Sequence, residues 1–273
     1  MTSRARLTPR AWPTVRVRVC AATLAVSASV VLTCVTPVRS APTSGSQQAP
    51  PTSGAQAPAT IAALFHPDRL GAMGSFTVAI DLAGGAVGDL PPLRSSVLRL
   101  PAGLGVEVPH LRGCDPERLR LLGARGCPPQ SRIGVGRARV RAPLGSQLLE
   151  ESVSLWVFLG PLRNLQPTFE MLAQGYTPFD EHVVLGGTVR PDNPPYSEDL
   201  VLSVPAIPTL PLEPEASIAS MSLTIGSSRR SARESNTTVE PTRCPPGGFP
   251  FAAELTYADG STQSISTTGS CPR

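Results

Sequence analysis

The chain has 273 residues, 41% of them apolar but only 4% aromatic, so its core must be built mainly from Val, Leu, Ile and Ala. Its 31 prolines argue against long helices, whose interiors tolerate proline poorly. The formal charge of +4 comes from residues 1–40, which hold six Arg and no acid; the 18 Arg and 20 acids that remain remove the general electrostatic case for nucleic-acid binding.

In chain order, five arginines precede an apolar run of 17 residues, Val19 to Val35, in the layout of a secretory signal. Val38-Arg39-Ser40 before Ala41 is a passable cleavage site, and a run of this length also suits a retained N-terminal signal anchor. Either form exports the rest of the chain, secreted or held on the outer side of the cytoplasmic membrane. Val31-Leu32-Thr33-Cys34 departs from a lipid-attachment motif at Thr33. Residues 1–40 are therefore read as signal peptide or anchor, and residues 41–60, where Pro-Thr-Ser-Gly occurs twice, as a disordered Pro/Thr/Ser/Gly linker. Extended, that linker would reach roughly 60 Å.

Residues 61–273 read as a β-rich extracytoplasmic domain. Phe76, Val78, Ile80 and Leu82 alternate with Thr77, Ala79 and Asp81, the period of a half-buried strand. A shorter echo covers 96–100. One helix is predicted, with Asp115 as cap, Pro116 in the first turn and Gly123 as stop. From 137 to 142, Arg137, Arg139 and Arg141 share one face, and Gly136, Ala138, Val140 and Ala142 share the other. Val153 to Leu159, with Trp156 and Phe158, is apolar on both faces and predicts a central strand. Further strands are expected near 168–173, 182–189, 200–204, 219–225 and 251–257. Ser227 to Glu240, which holds the sequon Asn236-Thr237-Thr238, reads as a mobile polar loop. Asp259-Gly260 predicts a tight hairpin. The pattern is all-β, and the expected architecture is a two-sheet β-sandwich with Pro-rich loops and one short helix, an open barrel being the alternative.

Cys114, Cys127, Cys244 and Cys271 lie beyond the leader, and an even number in an exported domain reads as disulfides. Three pairings are possible; Cys114 with Cys127 and Cys244 with Cys271 close the local loops. Their spacings of 13, 117 and 27 contain no close Cys pair of the kind that binds zinc, and neither metal nor cofactor is expected.

Leu100-Pro101-Ala102-Gly103-Leu104, Cys114, and Cys127-Pro128-Pro129-Gln130-Ser131-Arg132-Ile133-Gly134-Val135-Gly136-Arg137-Ala138 resemble a pattern of uncharacterised exported actinobacterial proteins. Cys244-Pro245, Phe251, Tyr257-Ala258-Asp259-Gly260 and Cys271 resemble the ending of such chains. The resemblance spans most of residues 75–273 and implies the local cysteine pairing and a bacterial exported origin. It implies no activity. The use of Arg at every basic position, with no Lys, fits a GC-rich genome.

No residue set reaches a catalytic signature. Ser131, His182 and Asp180 lack a nucleophile elbow, and His66 and His110 have no metal-ligand spacing around them. Glu150-Glu151 and Glu198-Asp199 are adjacent acids, whereas glycoside hydrolysis needs carboxyls facing each other about 5–9 Å apart. The candidate functional feature is the arginine segment. Residues 112–141 carry eight Arg and two acids, and Arg132, Arg137, Arg139 and Arg141 are the candidate anion-binding residues. Partners of that chemistry are an anionic envelope polymer, a phospholipid headgroup or an acidic protein surface, with membrane attachment only through an uncleaved N-terminal segment. The bland reading is a solvated strand face. The expected role is non-enzymatic binding or structure in the cell envelope, with a hydrolase of polysaccharide or ester substrates as the alternative.

Overall fold

Period-two alternation and frequent turn residues give thirteen strands among the described residues: β1 (Thr60–His66), β2 (Ser75–Asp81), β3 (Leu93–Pro101), β4 (Leu104–Glu107), β5 (Arg132–Leu144), β6 (Gln147–Leu159), β7 (Thr168–Gly175), β8 (Glu181–Pro191), β9 (Tyr196–Ser203), β10 (Ser217–Gly226), β11 (Thr238–Pro241), β12 (Phe249–Tyr257) and β13 (Thr262–Gly269). The structure is a computed structural model that describes residues 59–82, 90–107, 112–176, 180–209, 213–226 and 237–273. The expected leader and nearly all of the expected linker lie outside these residues, as do His110 and Asn236.

Eleven strands form one antiparallel sheet in the order β1-β2-β10-β5-β6-β7-β8-β9-β3-β12-β13, and β4 pairs with β11 in a separate ribbon. The large sheet curls until β13 lies beside β1, so it is nearly closed into a barrel. This corrects the expected sandwich. Two stacked sheets need a break in the ladder, and here every neighbouring pair from β1 to β13 is continuously bonded. A twisted sheet of more than about ten strands tends to curl, and bulges at Arg132/Gly134, Ile218/Ser220, Leu100/Pro101 and Thr256/Tyr257 sharpen the bend. At the seam Phe65 of β1 packs on Phe249 and Phe251 of β12, with ring centroids 5.0 and 6.3 Å apart.

The helix α1 (Pro116–Leu122) forms as predicted: the Asp115 carboxylate accepts from the amides of Glu117 and Arg118 at 2.8 and 3.3 Å. It lies on the outside of the barrel, where Leu119, Cys114 and Cys127 bury Phe158, Leu172 and Val184. That cover explains the central strand's two apolar faces. Val153, Leu155 and Val157 belong to the main core, while Trp156 and Phe158 pack under the helix.

The Asp259-Gly260 hairpin is present, with Gly260 at φ 83° and Asp259 accepting from the Ser261 amide at 2.9 Å. Three strands escaped the sequence pattern. β1 begins at Thr60, inside the expected linker, and pairs along its whole length with β2. β4 is a short strand in a Gly-rich stretch, and β11 overlaps the end of the expected loop of 227–240.

Candidate functional site

Side chains of one parity on each strand point into the barrel. An eleven-stranded wall encloses more space than eight strands, whose interior side chains just fill. Here the inward residues of β5 are Gly134, Gly136, Ala138, Val140 and Ala142, and Ala173 and Gly175 continue the small lining on β7. Small side chains on a wide wall leave room inside.

Among the described residues that room includes two chambers. The larger, about 280 Å³, is lined by residues such as Val78, Leu98, Val157, Phe169, Leu200 and Leu223. The smaller, about 130 Å³, is lined by Ala138, Val140, Val153, Ala173, Val183 and Ile207, among others. Met171 and Met221 line both, so the chambers meet at two flexible thioether side chains that can shift to admit a guest. Binding pockets for small molecules are typically about 300–1,000 Å³, apolar, with a few placed polar groups.

The polar groups stand toward the ends. Glu198 lines the larger chamber, and Glu151 and Glu181 line the smaller. The Tyr176 amide donates to Glu151 at 2.6 Å, and Gly175 lets that carboxylate lie close to the backbone of β7. The two adjacent acid pairs are thus divided between the faces of their strands. Glu150 is outside with Arg139 and Arg141, and Asp199 is outside with Arg190, 3.8 Å away. Neither pair forms the facing dyad that glycoside hydrolysis requires.

The hydrolytic set is not assembled either. Ser131 is buried and its hydroxyl donates to the Pro128 carbonyl at 2.6 Å. His182 Nε2 donates to the Arg120 carbonyl at 2.6 Å, and Asp180 accepts from Gln174 at 3.3 Å. Among the described residues, no group of three or more His, Cys, Asp or Glu side chains is placed to hold a metal.

The arginine ladder lies on the outer wall. Arg137 and Arg139 border a shallow surface hollow with Thr60, Ser152, Ser220 and Ser222. Arg139 and Arg141 share Glu150 at 3.4 and 3.3 Å, and Arg139 also donates to the Ser220 hydroxyl at 3.2 Å. Arg137 has no ion pair among the described residues. Arg132 stands at the start of β5 opposite Phe158, beyond a bulge, and is not continuous with the other three. The register thus sets Arg137, Arg139 and Arg141 in a row, with Glu150 neutralising part of it.

Cys114 is joined to Cys127 and Cys244 to Cys271, with Cα atoms 5.0 and 5.8 Å apart. The first disulfide joins the two ends of the helical cover to each other. The second ties the segment after β11 to the end of the chain.

Beneath the cover lies a group the sequence did not single out. Glu170 points outward from β7 and is only 3% exposed. Burial pushes its carboxyl above the ordinary range, while Arg163 and Arg120 pull the other way and Asp115 adds to the rise.

No protein-family model matches the chain, and no curated protein is significantly similar to it. Function therefore has to be argued from the site itself.

The lumen was visible in the sequence only as a half-pattern. The alternation of Arg with Gly and Ala on β5 marks an outer and a small inner face, but which strands face it across the barrel depends on distant pairings.

Proposed function

We propose that this is an exported, non-enzymatic binding domain whose barrel interior takes an elongated apolar molecule with a polar end. The observation that carries the reading is the lumen: two apolar chambers in series, joined at Met171 and Met221, with carboxylates toward their outer ends. A linear hydrocarbon chain fits that shape and chemistry. An anionic or strongly polar ligand does not, because Glu151, Glu181 and Glu198 are the charged side chains among the described lining residues.

The arginine-flanked leader and the two disulfides support a place in the envelope or outside the cell. The resemblance to exported actinobacterial chains supports the same setting. Binding of an anionic envelope polymer along Arg137, Arg139 and Arg141 is the weaker reading, because Glu150 already engages two of the three. A hydrolase is weaker still: Ser131 and His182 are held by backbone carbonyls, and Glu151 and Glu198 line different chambers.

Titration with a fluorescent long-chain alkylamine, whose cationic head suits the lumen's carboxylates, tests the reading. The wild-type chain should take up the probe saturably, and Ala173→Phe or Val189→Phe, which fill the smaller and larger chambers, should weaken uptake. Arg137→Ala, on the outer wall, should leave it unchanged. Absence of saturable uptake by the wild type, or equal uptake by the filled variants, would reject a ligand-binding lumen.

A further inference from the structure

The strand register puts the turn between β1 and β2, the β4–β11 ribbon and the turn between β6 and β7 at one end of the barrel. It is the end reached by the larger chamber, whose lining includes Leu159, Pro167 and Val106. Two turns there carry exposed apolar side chains, as Leu64, Leu121 and Leu122 are exposed elsewhere on the surface. Leu70 and Met73 lie in the first turn, 41% and 42% exposed, and Leu162 and Leu165 lie in the other, 58% and 91% exposed.

Leu165 is the decisive residue. Arg163 and Gln166 exchange backbone hydrogen bonds at 3.0 and 2.9 Å, which closes a two-residue turn over Asn164 and Leu165. Both have positive φ, 51° and 65°. Asn is at home in that geometry, but the second position favours Gly, and a Leu there is disfavoured by its Cβ. The leucine is therefore strained by its backbone and left in water by its side chain. Neither local structure nor packing gains from it.

We infer that this end of the barrel docks on an anionic phospholipid bilayer, with Leu162 and Leu165 entering the interface. A protein partner would need one continuous apolar face. The exposed side chains instead sit on two separate tips, Leu70 and Met73 on one and Leu162 and Leu165 on the other, with β10 and β5 between their parent hairpins, an arrangement that suits a planar phase each tip can enter alone. Arg69 and Arg163 flank the two tips and can meet lipid phosphates, against Asp68 beside the first tip and Glu107 on the ribbon. The inference stands on the rim and not on the lumen, although docking would bring the larger chamber next to a source of hydrocarbon chains.

The test uses the full chain with Trp12 and Trp156 changed to Phe and tryptophan placed at the tip, Leu165→Trp, and vesicles of phosphatidylglycerol and phosphatidylethanolamine with or without brominated acyl chains. Leu162→Trp, at a position without positive φ, reports on the same tip if Trp at 165 disturbs the turn. Each tip tryptophan should lose roughly half its emission to brominated lipid, since interfacial side chains sit about 5–10 Å into the headgroup and acyl boundary. Leu148→Trp, at the opposite end, should lose none. Quenching should persist when Ala173→Phe is added, which separates docking from loading of the lumen. Unquenched tip tryptophans, equal quenching at 148, or quenching abolished by Ala173→Phe would each overturn the inference.

Discussion

The ring of Phe169 lies over Gly187, its partner across β7 and β8, so that a Cβ added at 187 would stand 2.1 Å from the ring. Phe169 is thereby held against the wall of the larger chamber. Gly187→Ala should displace the ring toward the cavity and cost about 1–3 kcal/mol, the usual range for overpacking. Thermal unfolding should show a lowered Tm, largely restored by a second change, Phe169→Leu. A neutral Gly187→Ala would mean that the ring has room to move.

Glu170 gives the protein a pH dependence of predictable sign. Its carboxyl is raised above the unfolded value, chiefly by burial, so the folded form holds its proton more tightly. The stabilisation linked to that proton is fully present below the unfolded value, about pH 4.3, and is lost as pH rises through the folded one. Glu170→Gln should therefore be more stable than wild type at pH 7, with the advantage shrinking toward pH 3. Parallel unfolding curves across that range check it; a constant difference would remove Glu170 as the cause.

The two disulfides should be separable by where their loss is felt. Loops of 14 and 28 residues predict losses of about 3 and about 3.5 kcal/mol for Cys114→Ser/Cys127→Ser and Cys244→Ser/Cys271→Ser. Amide exchange should rise around α1 in the first variant, and in the segment following β11 and the end of β13 in the second. Global loosening in both would show that neither loop acts locally.

What the sequence revealed was local. Phe76 to Leu82, the Asp115 cap and the Asp259-Gly260 turn all sit where residue type alone sets the backbone, and the structure has a strand, a helix and a hairpin there. Barrel closure depends instead on β2 meeting β10 and on β1 lying beside β13, which no short-range pattern encodes. β1 was hidden by its setting, since Thr60–His66 comes directly after a Pro-rich stretch and its outward positions include Leu64. The candidate site suffered most. Charge drew attention to the outer face of β5, whereas the chambers are made by the unremarkable Gly, Ala and Val of its inner face.

The seam between β1 and β13 also has a consequence in time. It brings together the first and last strands of the described fold, and β2, which carries β1, is itself paired to β10 from much later in the chain. Contacts between distant segments are slow to form. A chain that emerges N-terminus first must therefore keep its opening hairpin waiting, with Phe65 and Phe76 uncovered, until Phe249 and Phe251 arrive to receive them. Until then, the exposed aromatic edge is the part of the molecule most open to capture by a chaperone or by another copy of itself.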